Sequence, residues 1–141
     1  MFEYSRHCNA KRLSKLRSTF DLLVAIRNKP LRKRNMNAIA KKYQFTEDQV
    51  SEIVGVTKRT YRKMVPNSRL SLSASERVIK LSELYEVGIT TFENMSMSFS
   101  GWLRAPIPSL SNNKPIDLIF CDIGIGMVKD ELIRMEYSVL G

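Results

Sequence analysis

Residues 51–64 read SEIVGVTKRTYRKM, and the character of the chain changes inside them. Ser51, Ile53 and Val54 belong to an apolar, slightly acidic run that stops at Gly55. Beyond it Thr57, Lys58, Arg59, Thr60, Arg62 and Lys63 form a cationic run. Two short helices joined by a tight turn fit this change. A small residue, Ser51, lets the second helix pack close. A glycine four positions later takes the left-handed backbone that a β-carbon penalises. Val56 continues the core, and the Thr57 hydroxyl suits a cap that accepts from the free N–H groups of the next helix. Spacings of three and four place Tyr61, Met64 and Val65 on the inner face of that helix. They turn Arg59, Arg62 and Lys63 outward together, with Lys58 and Thr60 near the leading end. Such a helix suits the major groove of a duplex, where Lys, Arg and Thr reach base edges or phosphates. The same spacing also describes a structural hairpin with a solvated basic face. The small residue, turn glycine, capping threonine and outward cations together favour DNA.

The whole chain supports that direction. It has 141 residues, 43% hydrophobic and 26% charged, enough for one globular domain or two small ones. Its net charge of +9 is unevenly placed. Residues 1–70 carry 17 Lys and Arg against 5 Asp and Glu, a balance of +12, whereas residues 71–141 carry 6 against 9, a balance of −3. The N-terminal half is therefore expected to meet a polyanion and the C-terminal half to do something else. Cys8 and Cys121 are far apart and the one histidine is His7, so Cys and His alone cannot furnish an ordinary four-ligand zinc site. The start, MFEYSRHC, lacks the basic and apolar regions of a signal peptide. No apolar run approaches membrane-spanning length. A cytoplasmic protein with no membrane association is expected.

Outward from the turn, helical spacing extends over 10–28 through Leu13, Leu16, Phe20, Leu23 and Val24. Pro30 ends it or opens the next element, and Lys29, Arg32, Lys33 and Arg34 suit either phosphate contact or a solvated charge run. A second helix is expected over 36–43, with Ile39, Ala40 and Tyr43 inward. A third is capped by Thr46, followed by Glu47 and Asp48 at its positive end, and buries Val50, Ile53 and Val54. Pro66, Asn67 and Ser68 break the pattern. Ser73 and Ser75 both suit a cap for a helix over 75–86 that buries Val78, Leu81, Leu84 and Tyr85 and ends at Gly88. A further helix includes Phe99, Trp102 and Leu103, with Trp102 a core anchor. Pro106, Pro108 and Pro115 bracket a loop at SLSNN. Gly124 and Gly126 punctuate the chain before a last helix marked by Val128, Leu132 and Met135. Gly124-Ile125-Gly126 is too short for a dinucleotide loop. No nucleophile–base pairing is visible, so no enzymatic activity is expected.

Three linked stretches resemble a known family: RLSLSASERVIKLSELY, GWLRAPIPSLSNNKPIDLI and GIGMVKDELIRMEYSVL. The first carries Arg69, Leu70, Ser71 and Ser75. The second carries Trp102 and Leu103, then Pro106, Pro108 and Leu110, then Pro115 and Leu118. The third carries Gly124, Val128, Leu132, Arg134, Met135, Glu136 and Tyr137. Together with the Gly-Val-Thr-x-Arg-Thr stretch at the turn, they resemble Xre/ParS-type antitoxins paired with RES-domain toxins, over about residues 46–141. Two positions depart from the family pattern. Asn112 and Asn113 stand near where a loop glycine often precedes Pro-x-x-Leu, and Ser138 stands where a glycine usually follows Glu-Tyr. The resemblance implies a mainly α fold, with a helix-turn-helix helical domain followed by a small helical toxin-binding domain with a Pro-rich loop. It implies duplex operator DNA and a RES-type, NAD-consuming toxin as partners, a homodimer, and a C-terminal end lying over the toxin's active-site entrance. The cofactor would be the partner's. The residues so implied at the toxin are Arg104, Arg134, Glu136, Tyr137, Val139 and Leu140.

The expected division is 1–68 for a helix-turn-helix DNA-binding domain with a basic N-terminal arm, and 69–141 for dimerisation and toxin binding. The dimer seam falls either on the helix with Val78, Leu81 and Leu84 or on the first helix with Leu16, Phe20 and Leu23. Residues 1–35 suit DNA contact as well as a seam. Two rival functions share the composition: a stand-alone helix-turn-helix repressor, and a helical adaptor whose basic face binds an acidic protein.

Overall fold

The computed structural model describes residues 19–140. They form helices joined by turns, with two isolated antiparallel bridges, Arg32 to Arg69 and Ile107 to Asn113, and no strand among the described residues. The chain divides into two compact units that meet between Ser82 and Glu83. His7, Cys8, Leu13 and Leu16 lie outside the described residues.

The first unit contains α1 (Thr19–Asn28), α2 (Lys33–Tyr43), α3 (Glu47–Val54), α4 (Lys58–Lys63) and the start of α5 (Leu72–Thr91). The apolar stripe expected on α1 is misplaced. Ile26 is buried, while Phe20 and Val24 are 69% and 40% exposed. At 100° per residue, those two side chains fall roughly 120° and 160° from Ile26, so once Ile26 faces inward they must face out. α2 starts three residues before its apolar spacing, because the Asn35 side chain accepts from the Arg32 N–H at 2.8 Å and closes the first turn. Met36, Ile39 and Tyr43 are buried. The Tyr43 hydroxyl donates to the Leu81 carbonyl at 2.6 Å, and its ring stacks on Phe45 at 4.9 Å. α3 is capped reciprocally: the Gln49 N–H donates to Thr46 Oγ1 at 3.2 Å, and the Thr46 N–H donates to Gln49 Oε1 at 2.8 Å. Val50, Ile53 and Val54 are buried as expected.

α5 is capped by neither Ser73 nor Ser75. Ser71 Oγ accepts from the Ala74 N–H at 3.1 Å. Ser75 is fully buried and accepts from the Leu31 N–H at 3.2 Å, 44 residues away. That donor follows the turn at Pro30 and would otherwise be stranded in the core. Arg77 of α5 donates to the Ile53 carbonyl at 2.8 Å, serving an end carbonyl of α3 that has no partner within its own helix. Val78, Leu81 and Leu84 have no exposed surface. They hold the interior of the chain, which removes them from the two seams expected above.

The second unit contains the rest of α5, α6 (Ser96–Leu103), a 3-10 turn at Pro108–Leu110, α7 (Pro115–Leu118) and α8 (Asp122–Leu140). Gly88 does not end α5, which continues to Thr91. A β-carbon at Gly88 would strike the Phe99 ring. The glycine lets that ring lie against the helix, with Tyr85 edge-on at 5.5 Å, Phe92 at 5.8 Å and half-buried Trp102 at 6.4 Å. In the proline-bracketed loop, Ser111 and Asn112 take left-handed backbone with φ of 57° and 61°, so an asparagine, which tolerates this region, supplies the conformation. Asn113 closes the loop: its side chain donates to the Leu110 carbonyl at 3.0 Å, and its carbonyl accepts from the Ile107 N–H at 3.1 Å. Gly124 and Gly126 do not punctuate the chain but lie inside α8. Leu84, Phe99, Leu103, Leu110, Ile116, Ile119, Ile125, Val128 and Leu132 are the buried apolar residues of this unit. Among the described residues no helix is long and apolar enough to cross a membrane.

Candidate functional site

The turn between α3 and α4 has the geometry its sequence requires. Gly55 takes φ 81°, and its N–H donates to the Ser51 carbonyl at 2.8 Å. Thr57 Oγ1 accepts from the Thr60 N–H at 3.1 Å, and the Thr57 hydroxyl lies 2.9 Å from that of Thr60. Thr57, Lys58, Arg59, Thr60, Arg62 and Lys63 are all exposed and gathered on one short element.

Six residues are too few for a helix that stands alone, and contacts from three directions hold α4. The Tyr61 hydroxyl donates to Asn37 Oδ1 of α2 at 2.6 Å. Burial pushes the Tyr61 phenol up to about 12. Lys33 Nζ lies 4.6 Å over the same ring and donates to the Met64 carbonyl at 2.7 Å. Arg32 donates to the Asn67 carbonyl at 2.8 Å, and Arg34 to Asn67 Oδ1 at 2.7 Å. The basic cluster at 32–34 therefore braces the turn after α4. Val65, expected on the inner face, is 61% exposed, because α4 stops at Lys63 and the chain leaves the helical path that its spacing assumed.

The third direction is electrostatic. Arg62 makes a two-pronged contact with Glu47, Nη2 to Oε1 at 2.6 Å and Nε to Oε2 at 3.2 Å. Lys58 Nζ lies 2.8 Å from Asp48 Oδ1. Both carboxylates sit on the first turn of α3. The hydrogen bond from Arg62, then its charge, holds the Glu47 carboxyl below its ordinary range, and Glu47 in turn raises the guanidinium. These pairs face water, where ion pairs contribute little and are screened by salt, so phosphates can compete for both cations. Arg59 and Lys63, four apart on one face, make no hydrogen bond or ion pair among the described residues. The residues that sequence reasoning missed here are Asn37, Glu47 and Asp48 as partners of α4. The i to i+15 pairing of Glu47 with Arg62 carries no local signal.

The residues implied at a partner protein lie just after α6 and on α8. Arg104 is half-buried and folds back on α6, donating to Ser100 Oγ at 3.0 Å. Arg134 pairs with Glu131 Oε1 at 2.7 Å. This contact lowers the Glu131 carboxyl, burial opposes it, and a Ser109 hydrogen bond assists. Glu136 and Tyr137 are exposed, Tyr137 by 70%. The side chains of Val139 and Leu140 lie outside the described part of α8. Sequence reasoning passed over Ile123 and Met127, 77% and 44% exposed on the same helix, because Gly124 and Gly126 read as breaks ahead of the last helix and hid the face that these two share with Tyr137.

Residues 23–83 match the antitoxin Xre-like helix-turn-helix domain, and residues 90–137 match the antitoxin Xre/MbcA/ParS C-terminal toxin-binding domain. No curated protein matches the chain. The Xre-like domain begins 23 residues before the helix-turn-helix resemblance at residue 46 and takes in the end of α1 and all of α2. The toxin-binding domain takes in α6, the proline loop, α7 and α8 as far as Tyr137. The two matches support an antitoxin with a DNA-binding helix-turn-helix.

Proposed function

We propose that this chain is the antitoxin of a RES-type, NAD-consuming toxin. It neutralises the toxin by direct binding through its C-terminal domain and binds operator DNA through α4 to regulate its own operon. The observation that carries the reading is the joining, on one chain, of a helix-turn-helix with an outward cation face and a toxin-binding domain. Residues 1–68 serve DNA and 69–141 serve dimerisation and the toxin. Thr57, Lys58, Arg59, Thr60, Arg62 and Lys63 meet the duplex, and Arg104, Arg134, Glu136, Tyr137, Val139 and Leu140 meet the toxin. The linked motifs ending at Tyr137 support RES as the toxin class.

The chain acts in the cytoplasm as a homodimer, without catalysis of its own. A single α4 spans few base pairs, and a twofold pair suits a palindromic operator. Among the described residues of the first unit, Phe20, Val24, Val65 and Leu72 are exposed apolar side chains, so α1, through Phe20 and Val24, is the alternative to a seam within residues 69–141. Co-expression with the product of the adjacent gene tests the reading. A RES-type neighbour that co-purifies and is silenced, with a salt-dependent gel shift on the upstream DNA, is expected. A shift without toxin binding makes the chain a stand-alone repressor. Toxin binding with no shift at any salt removes the operator role.

A further inference from the structure

α8 carries a stripe that the other described residues leave exposed. Ile123, Met127, Asp130, Arg134 and Tyr137 follow one another at spacings of four, three, four and three residues, and all five are exposed. At 100° per residue they occupy an arc of roughly 80°. Ile125, Val128 and Leu132, all buried, lie on the opposite side of the helix. The helix is therefore apolar on two faces. Ile123 is 77%, Met127 44% and Tyr137 70% exposed, and a stripe of this kind marks an interaction surface. From Ile123 to Tyr137 it runs about 21 Å at 1.5 Å per residue.

The chemistry of the stripe selects its occupant. Nucleic acid and an anionic membrane both require free cations beside the apolar residues. The stripe offers a single cation, Arg134, flanked by Asp130 on the stripe and paired with Glu131 at 2.7 Å, too little positive charge for either. A second copy is disfavoured by symmetry. An antiparallel twofold pairing centred on the stripe sets Asp130 against its own copy, and opposed like charges are destabilising. A different protein remains, and the toxin-binding match at residues 90–137 contains the whole stripe and ends on its last residue.

We infer that the toxin docks along this entire face, with Ile123 and Met127 as apolar anchors as far from the C-terminal tail as α8 allows. The complementary toxin surface is an apolar groove about 20 Å long with a basic side chain placed to meet Asp130. This inference rests on the toxin-binding reading above and adds to it a second anchoring region.

The test uses the full chain and the purified toxin encoded beside it, titrated by calorimetry. Ile123→Glu and Met127→Glu keep good helix formers on exposed positions, and circular dichroism checks that each folds. Each is expected to weaken toxin binding by about thirtyfold or more, the loss typical of a buried interface anchor. Asp130→Lys is expected to weaken it as well. Met97→Glu, 86% exposed on α6 and off the stripe, should bind as the unaltered chain does. If the stripe variants bind like the unaltered chain while removal of residues 136–141 abolishes binding, the docking face is the tail alone and the inference is wrong. If they bind toxin normally but dissociate a dimer in sedimentation, the stripe is a self-contact and the inference is again wrong. If the unaltered chain does not bind the toxin, the toxin reading itself falls and takes this one with it.

Discussion

Two glycines on α8, two residues apart, should respond to the same substitution with opposite signs. Alanine in place of glycine inside a helix stabilises by roughly 0.8–1 kcal/mol, through backbone entropy lost by the unfolded chain. At Gly126, which is exposed, an added β-carbon meets nothing within 4 Å, so Gly126→Ala should gain that full amount. At Gly124 the β-carbon would overlap the carbonyl oxygen and carbon of Leu118. An ordinary carbon-to-oxygen approach is about 3.3–3.6 Å, so the end of α7 must retreat on the order of 1–2 Å to admit it. The obstacle is backbone, and it cannot rotate away. Ile116 and Ile119 flank Leu118 at 7% and 1% exposure, so the retreat drags core side chains with it. Overpacking of this kind costs about 1–3 kcal/mol. Set against the helix gain, Gly124→Ala should destabilise by up to roughly 2 kcal/mol.

Trp102 is the sole tryptophan and lies in the same unit as both glycines, so its fluorescence in a urea titration reports this unit directly. With m near 1–3 kcal/mol/M, a difference of about 1–3 kcal/mol should separate the two midpoints by about 0.3–3 M. Gly101→Ala on α6, also with nothing within 4 Å, should behave like Gly126→Ala. A Gly124→Ala protein as stable as Gly126→Ala would refute the account of how α7 and α8 meet.

Three further outcomes follow from the two candidate surfaces. Arg59→Ala and Lys63→Ala should each reduce the salt slope of log K for operator DNA by about 0.9 if the residue neutralises a phosphate, and Glu47→Gln should tighten DNA binding at low salt by releasing Arg62. Unaltered binding by both alanine variants at every salt would displace α4 from the duplex. A chain ending at Met135 should keep its gel shift yet fail to rescue growth of cells expressing the toxin; full rescue would remove the tail from the mechanism. Tyr61 is held neutral by burial, with its pKa pushed up to about 12 against an ordinary value near 10. Its contribution to stability is therefore complete below pH about 10 and fades as pH rises from about 10 to about 12. Denaturation across that window should show a steeper loss for the unaltered chain than for Tyr61→Phe, and equal slopes would contradict the burial.

Much of the helix-turn-helix was readable from residues 46–60 alone, because its signals are local. Thr46 and Thr57 cap helices through hydroxyls three residues from their donors, and Gly55 turns the chain through a conformation that only its own φ requires. Charge was readable for the same reason: +12 on the first 70 residues needs no coordinates. The linked motifs of the C-terminal half likewise pointed to a toxin-binding domain before any geometry was known.

What failed depended on neighbours distant in sequence. Gly88, Gly124 and Gly126 read as breaks, because a lone glycine carries no sign of what will press against it. The tertiary structure put Phe99 against the first and Leu118 against the second, and left the third merely tolerated in a helix that continues past it. Ser75 read as a cap, and only the arrival of the Leu31 N–H from 44 residues away made it a buried acceptor. The α1 stripe turned because Ile26 became the residue that faces inward. The outward cations of α4 were foreseen as a group. Which of them Glu47 and Asp48 restrain and which stay unengaged was set by α3 and α4 packing against each other, since a side chain's partner is fixed by proximity in space and its type alone does not encode it.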